Sequence, residues 1–99
     1  MAQITEYIEE AKRKLKFDSY NQTMKHLGMT RQQWTAIQKG SGVSDKNAIR
    51  IAKLLKIEPL EIIAISKALR AENREIREYW LKVEKSIKEQ RLKEGVSEH

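Results

Sequence analysis

An all-α protein is expected from this chain, on three grounds. No segment alternates polar and apolar residues with period two, and the β-branched residues recur at helical spacing instead. Apolar residues fall at i, i+3, i+4 and i+7 in successive stretches. Gly28, Gly40, Gly42 and the single proline stand between those stretches, where such residues stop or start helices. The resulting picture is a bundle of about five helices over residues 1–68, the central two forming a helix-turn-helix, and then a helical extension over residues 69–99.

The first helix is expected over Thr5 to Lys16, with Ile4, Tyr7, Ile8, Ala11 and Leu15 on one face. Its basic end, KRKLK, suits the helix dipole and reads first as a solvated terminus. A second helix is expected over Ser19 to Leu27, with Asp18 or Ser19 accepting from its free amides. Gly28 then ends it, because glycine enters the left-handed conformation without a Cβ clash. Thr30 caps a third helix, Arg31 to Lys39, and with Gln33 forms a T-x-x-Q capping box. The GSG at 40–42 ends that helix. Ser44 caps a fourth, Asp45 to Leu55, whose Ile49, Ile51, Ala52, Leu54 and Leu55 are the expected core positions.

Glu58-Pro59 marks the next start, since proline is tolerated where its missing amide is not needed. From Leu60 no glycine or proline follows until Gly95, which allows one long helix or two with a break near Ala71 to Arg74. Leu69, Ile76, Trp80, Val83 and Ile87 form a short heptad-like seam. Such a seam has to be covered, and the expectation is that it meets its symmetry mate and makes a homodimer, the alternative being that it folds back on the upstream helices. EGVSEH, residues 94–99, is expected to fray.

Composition narrows the function. Ninety-nine residues, 39 % hydrophobic, make one small domain with a modest core and little room for an enclosed active site. There is no cysteine, and His26 and His99 stand far apart, so neither a thiolate metal site nor a histidine cluster is expected and no cofactor is implied. The charged N-terminus has no leader-like apolar region, and no run approaches the ~20 apolar residues of a membrane span, so a cytoplasmic location is expected. The net charge is +6, and residues 18–58 hold most of the excess, with seven basic and three acidic side chains. A basic middle is the footprint of a polyanion partner. Asp18, Asp45 and Glu58 are isolated in sequence and His26 has no partner near it, so an enzyme is not expected.

Tyr20 to Lys39, two short helices around a glycine turn, has the length and pattern of a helix-turn-helix, whose second helix points its N-terminal residues into the DNA major groove. Leu27, Met29, Trp34 and Ile37 are its internal apolar positions. Arg31, Gln32, Thr35 and Gln38 are the candidate base readers, while Thr30 and Gln33 are partly committed to the capping box. Arg pairs with guanine O6 and N7, Gln with adenine N6 and N7, and a Thr methyl can rest on the thymine methyl. Lys39, Ser41, Ser44, Lys46 and Asn47 cluster around one loop and a helix start and form the expected phosphate clamp, with Lys25 and the KRK at 12–14 as weaker candidates. Trp34 reads as packing, alongside Met24 and Met29, since proteins that stack bases present aromatics on open platforms.

LGMTRQQWTAIQKGSGVSDKNAIRIAKLLKIEP resembles the central part of the Cro and lambda-type repressor family of helix-turn-helix proteins, also described as xenobiotic-response-element-like. The likeness covers about Lys16 to Ile63, and LEIIAISKALRAENREIREYWLKV more loosely resembles the tails of small regulators of filamentous phages and prophages. The resemblance implies a lambda-repressor-like bundle and a sequence-specific DNA-binding regulator acting as a homodimeric repressor. It implies major-groove contacts for Thr30, Arg31, Gln32 and Thr35 to Ala36, phosphate contacts for Ser19, Tyr20 and Asn21, and backbone contacts for Lys39 to Lys46. Two departures stand out. Thr23 and Met24 replace an aliphatic residue and an alanine, which widens or shifts the crossing of the two helices. Trp34 replaces a valine or isoleucine. The alternative function is a protein-interaction module, an antirepressor or adaptor using the C-terminal helix.

Overall fold

Six helices form where helix-start and helix-stop signals bracket the apolar stretches: α1 Ile4–Leu15, α2 Tyr20–His26, α3 Arg31–Gln38, α4 Asp45–Leu55, α5 Pro59–Arg70 and α6 Arg74–Ser97. The structure, a computed structural model, describes the backbone of residues 3–97 and the side chains of residues 3–94. Among the described residues the protein is all-α, without a strand.

Most helix boundaries follow from local chemistry. Ser19, not Asp18, caps α2, and its hydroxyl accepts from the Gln22 amide while Gln22 reaches back to the cap, a second capping box beside the expected Thr30–Gln33 one. Ser44 accepts from the Asn47 amide at the start of α4. The long C-terminal stretch divides in two. α5 stops at Arg70, residues 71–73 form the break, and the Asn73 side chain caps α6 by accepting from the Ile76 amide. Two ends carry no sequence signal: Lys16 and Lys56 close α1 and α4 in the left-handed conformation, with φ of 57° and 59°, where glycine is the usual residue.

The core lies where α1, α4 and α5 meet. Ile8, Ile51, Ile62 and Ile65 are fully buried there, each contributing about 1.5–3 kcal/mol through removal from water. Tyr7, Met24, Leu27, Met29, Ile37 and Val43 surround them, so α2 and α3 are held against the core by one face each. Ile49 corrects the sequence expectation. It is 45 % exposed, because Ala48, Ile51 and Ala52 define the inner face of α4 and Ile49 falls on the side of Lys46 and Lys53.

α6 packs back along α5, the arrangement that the sequence reading ranked second. Its closest tie is a charge. Glu61, fully buried on α5, accepts two hydrogen bonds from Arg91, Nε to Oε1 at 3.0 Å and Nη2 to Oε2 at 3.1 Å, and a third from the Tyr7 hydroxyl of α1. Three helices are thus joined at one carboxylate. Burial, and then the hydrogen bond and charge of Glu61, push the Tyr7 hydroxyl far above the ordinary tyrosine range, while the bond to Glu61 raises the Arg91 guanidinium. α6 is helical through Ser97, and Glu98 and His99 of the segment expected to fray lie outside the described residues.

The seam is covered on one side only. Leu69, Trp80, Val83 and Ile87 are half-buried, Ile76 is 45 % exposed, and its neighbour Tyr79 is 60 % exposed. Trp80 lies edge-on to Tyr79, with the Lys67 ammonium 5.8 Å from its ring centre.

Candidate nucleic-acid interface

The turn between α2 and α3 fixes how the third helix is presented. Leu27 ends α2, Gly28 takes φ 73°, and Met29 turns inward, buried with Leu27. Arg50 reaches across from α4 and donates from Nη1 to the Leu27 carbonyl at 3.2 Å, satisfying a carbonyl that the helix end leaves free. Its guanidinium lies where a side chain on residue 28 would start: a Cβ there would sit 2.3 Å from Arg50 Nη1. Gly28 therefore serves both the backbone angle and the close approach.

Aromatic packing sets the other side of the same unit. Tyr20 of α2 and Trp34 of α3 stack with ring centres 4.8 Å apart and planes 18° from parallel, and the Lys12 ammonium of α1 stands 5.0 Å from the Tyr20 ring centre. Trp34 is thus packing, as expected, but half-buried against Tyr20 and the core rather than enclosed. Met24 is buried in the same core cluster and Thr23 is fully buried, its hydroxyl donating to the Ser19 carbonyl.

These constraints leave one face of α3 in water. Arg31, Thr35 and Gln38 lie in a row at i, i+4 and i+7 with Gln32 beside it, and all four are exposed. The side chains of Arg31, Gln32 and Gln38 make no hydrogen bond to the described residues, so their donors and acceptors remain open. Thr35 donates to the Arg31 carbonyl at 3.1 Å, which leaves its methyl as the outward group. Thr30 is more committed: its hydroxyl accepts from the Gln33 amide at 3.1 Å and its own amide donates to Gln33 Oε1 at 2.8 Å.

The expected clamp separates by depth. Lys39, Ser41, Ser44 and Lys46 are exposed, whereas Asn47 is only 7 % exposed and lines a cleft between α3 and the start of α4. At the start of α2, Asn21 is exposed, Ser19 is engaged as a cap and Tyr20 is half-covered by Trp34. The weaker candidate Lys25 is exposed. His26, beside it, is also exposed and meets the Phe17 ring edge-on. The seam residues Leu69, Ile76, Trp80, Val83 and Ile87 lie on α5 and α6, apart from the α3 row in sequence and in element.

Sequence reasoning missed Arg50 and Arg70. Arg70 donates from Nη2 to the Val43 carbonyl at 2.9 Å, and the Val43 amide donates to Ser66 Oγ at 3.0 Å, so α5 holds the loop that leads into α4. Gly42 permits this approach, since a Cβ there would fall 2.8 Å from the Ser66 backbone. No local pattern marks either arginine, because each bonds to a carbonyl more than 20 residues away. Glu61 was legible in principle, as a carboxylate inside the apolar run PLEIIAIS that needs a partner.

Among the described residues no three His, Asp or Glu side chains come together in a way that holds a metal ion, and no helix is long and apolar enough to cross a membrane. Comparison of the chain with protein-family models, with curated proteins and with solved structures finds no match.

Proposed function

We propose that this protein is a sequence-specific regulator of transcription that binds double-stranded DNA in the cytoplasm, acting as a homodimeric repressor on an inverted-repeat operator. The observation that carries the reading is the row Arg31, Gln32, Thr35 and Gln38, exposed along α3 from its first residue to its last, with its hydrogen-bonding groups largely uncommitted. A helix start also offers free amides and the positive end of its dipole, which favour approach to phosphate. The basic excess of residues 18–58 and the exposed Lys39 and Lys46 supply counter-charge. Repression then follows from occupying a promoter and needs no catalytic group.

Selection of bound sites from random duplexes tests the reading. Arg31→Ala is expected to relax preference at one base position, at a cost of about 1–3 kcal/mol against the preferred site. Lys46→Ala is expected to weaken all sequences alike and to lower the salt dependence. Unchanged site preference in Arg31→Ala would remove α3 as the reading helix. The half-exposed seam on α6 favours a second reading, an interaction module for another protein; salt-independent failure to bind any duplex would support it instead.

A further inference from the structure

We propose that the docking of α6 on α5 is a pH-sensitive latch: α6 opens as a unit about residues 71–73, and loss of the Glu84 proton favours the open state. α6 is held unlike the other helices. Each of α1 to α5 gives the hydrophobic core at least one buried apolar side chain, whereas α6 gives none, and its described apolar side chains are half-buried or exposed. The one described side chain that it buries is a carboxylate, that of Glu84, 5 % exposed. An element with so few buried apolar contacts opens at a lower cost than the whole fold.

Two charges of α6 act on this contact in opposite senses. Arg91 closes it, through its two hydrogen bonds to Glu61 of α5. Glu84 works against closure, because it is withdrawn from water and forms no ion pair among the described residues. No fully enclosed side-chain oxygen or nitrogen lacks a hydrogen-bond partner among the described residues, so the Glu84 carboxylate meets water at the rim of the contact and can exchange its proton there. The groups around it come from every helix at the junction: Glu6 and Tyr7 of α1, Glu61 of α5 and Lys88 of α6, together with the N-terminal charge. The nearby guanidinium of Arg91 is committed to Glu61.

The direction of the latch follows from those surroundings. Burial raises the Glu84 carboxyl above its ordinary value of 4.5, Glu61 and Glu6 raise it further, and Lys88 and the N-terminal charge oppose. In the open helix the side chain stands in water and returns to that value. The docked state therefore binds the proton more tightly, so closure is fullest below 4.5 and weakens as pH rises through the docked value. The hinge is the break after α5, where Ala71 is extended and Asn73 starts α6 with its own cap. Opening frees the covered sides of Trp80, Val83 and Ile87, so ionisation of Glu84 enlarges the apolar strip that α6 presents. The latch does not depend on the DNA reading.

Carbon-13 titration of the Glu84 carboxyl in the full-length chain, with amide hydrogen exchange followed at the same pH values, tests the latch. The Glu84 midpoint is expected above 4.5. Undocked helices in water fray rapidly, so opening appears as exchange. Protection of residues 81–91, corrected for intrinsic exchange rates, is expected to fall through the Glu84 midpoint while that of Ile51 and Ile65 in the core holds. Glu84→Gln is expected to remove this fall, and Glu6→Gln to lower the Glu84 midpoint. A midpoint at or below 4.5 overturns the latch, as does α6 protection that does not follow the midpoint or that keeps its pH dependence in Glu84→Gln. Equal falls in α4 and α6 overturn it too, since the whole fold then loosens together. If Glu84→Gln does not fold, the wild-type titration and exchange decide by the same outcomes.

Discussion

Glu61 shows how much one buried charge demands of its surroundings. A carboxylate removed from water costs several kcal/mol unless its lone pairs are filled, and here Arg91 and Tyr7 fill them. Arg91→Ala leaves that charge unpaired and is expected to cost about 3 kcal/mol, the low end for a buried pair because Arg91 is one-third exposed. Glu61→Leu with Arg91→Met removes both charges and is expected to recover most of that loss in chemical denaturation. An equal loss in the double variant would show that packing at this junction, and not the unpaired charge, decides its stability. Glu84, 5 % exposed on α6, behaves differently. Burial raises its carboxyl above the ordinary value of 4.5, the Glu61 and Glu6 carboxylates raise it further, and Lys88 opposes the shift. A raised folded value favours the protonated fold. The stability this gives is complete below 4.5 and is lost as pH rises through the folded value. Glu84→Gln is therefore expected to raise the melting temperature at pH 8 and to flatten its fall between pH 4.5 and 8, as thermal scans across that range would show.

Helices and their connections were legible to the extent that their causes are local. The caps at Thr30 and Ser44, the stop at Gly28 and the start at Pro59 are each set by residues within four positions, and each lies where periodicity and capping chemistry put it. The outward row of α3 was legible for the same reason: once Ile37 and Met29 face the core, Arg31, Thr35 and Gln38 must face away. What was not legible depends on contacts between distant segments. Ile49 has the hydropathy of a core residue, and only the seating of α4 against α1 and α5 puts it in water. Arg50 and Arg70 act on carbonyls supplied by other elements, and the Tyr20–Trp34 stack requires α2 and α3 to be placed first. The turn joins both kinds of cause in a single residue. Gly28→Ala incurs about 1–2 kcal/mol for a left-handed backbone and also displaces Arg50 from the Leu27 carbonyl. Its loss in thermal unfolding is expected to exceed that of Gly40→Ala, where φ is 100° but nothing lies within 4 Å of an added Cβ. Equal losses would mean that Arg50 adjusts freely and does not hold the turn.

At the scale of the whole molecule, α6 docks on its own α5, and the proposed dimer asks the same helix to meet a second chain as well. The two are compatible, because docking covers only part of the seam. Tyr79, Ile76 and Leu60 of α5 are 60 %, 45 % and 38 % exposed, and Trp80, Val83 and Ile87 are half-covered. In the proposed dimer a two-fold axis beside α6 would bury this strip against its copy, and reading an inverted repeat would then require the two α3 helices to reach successive major grooves about 34 Å apart. Sedimentation is therefore expected to give twice the chain mass of 11.6 kDa. Ile76→Glu with Tyr79→Glu is expected to return the single-chain mass without unfolding, since both side chains already face water in one chain. The same variant is expected to keep its base preference but to lose the gain in affinity that a full inverted repeat gives over one half-site. Inserting half a helical turn, about 5 bp, between the half-sites is expected to remove that gain for the wild-type chain, because the second α3 then faces the wrong side of the duplex. A wild-type chain of single mass, binding one half-site as tightly as two, would leave the seam without this role and make the fold-back on α5 its whole purpose.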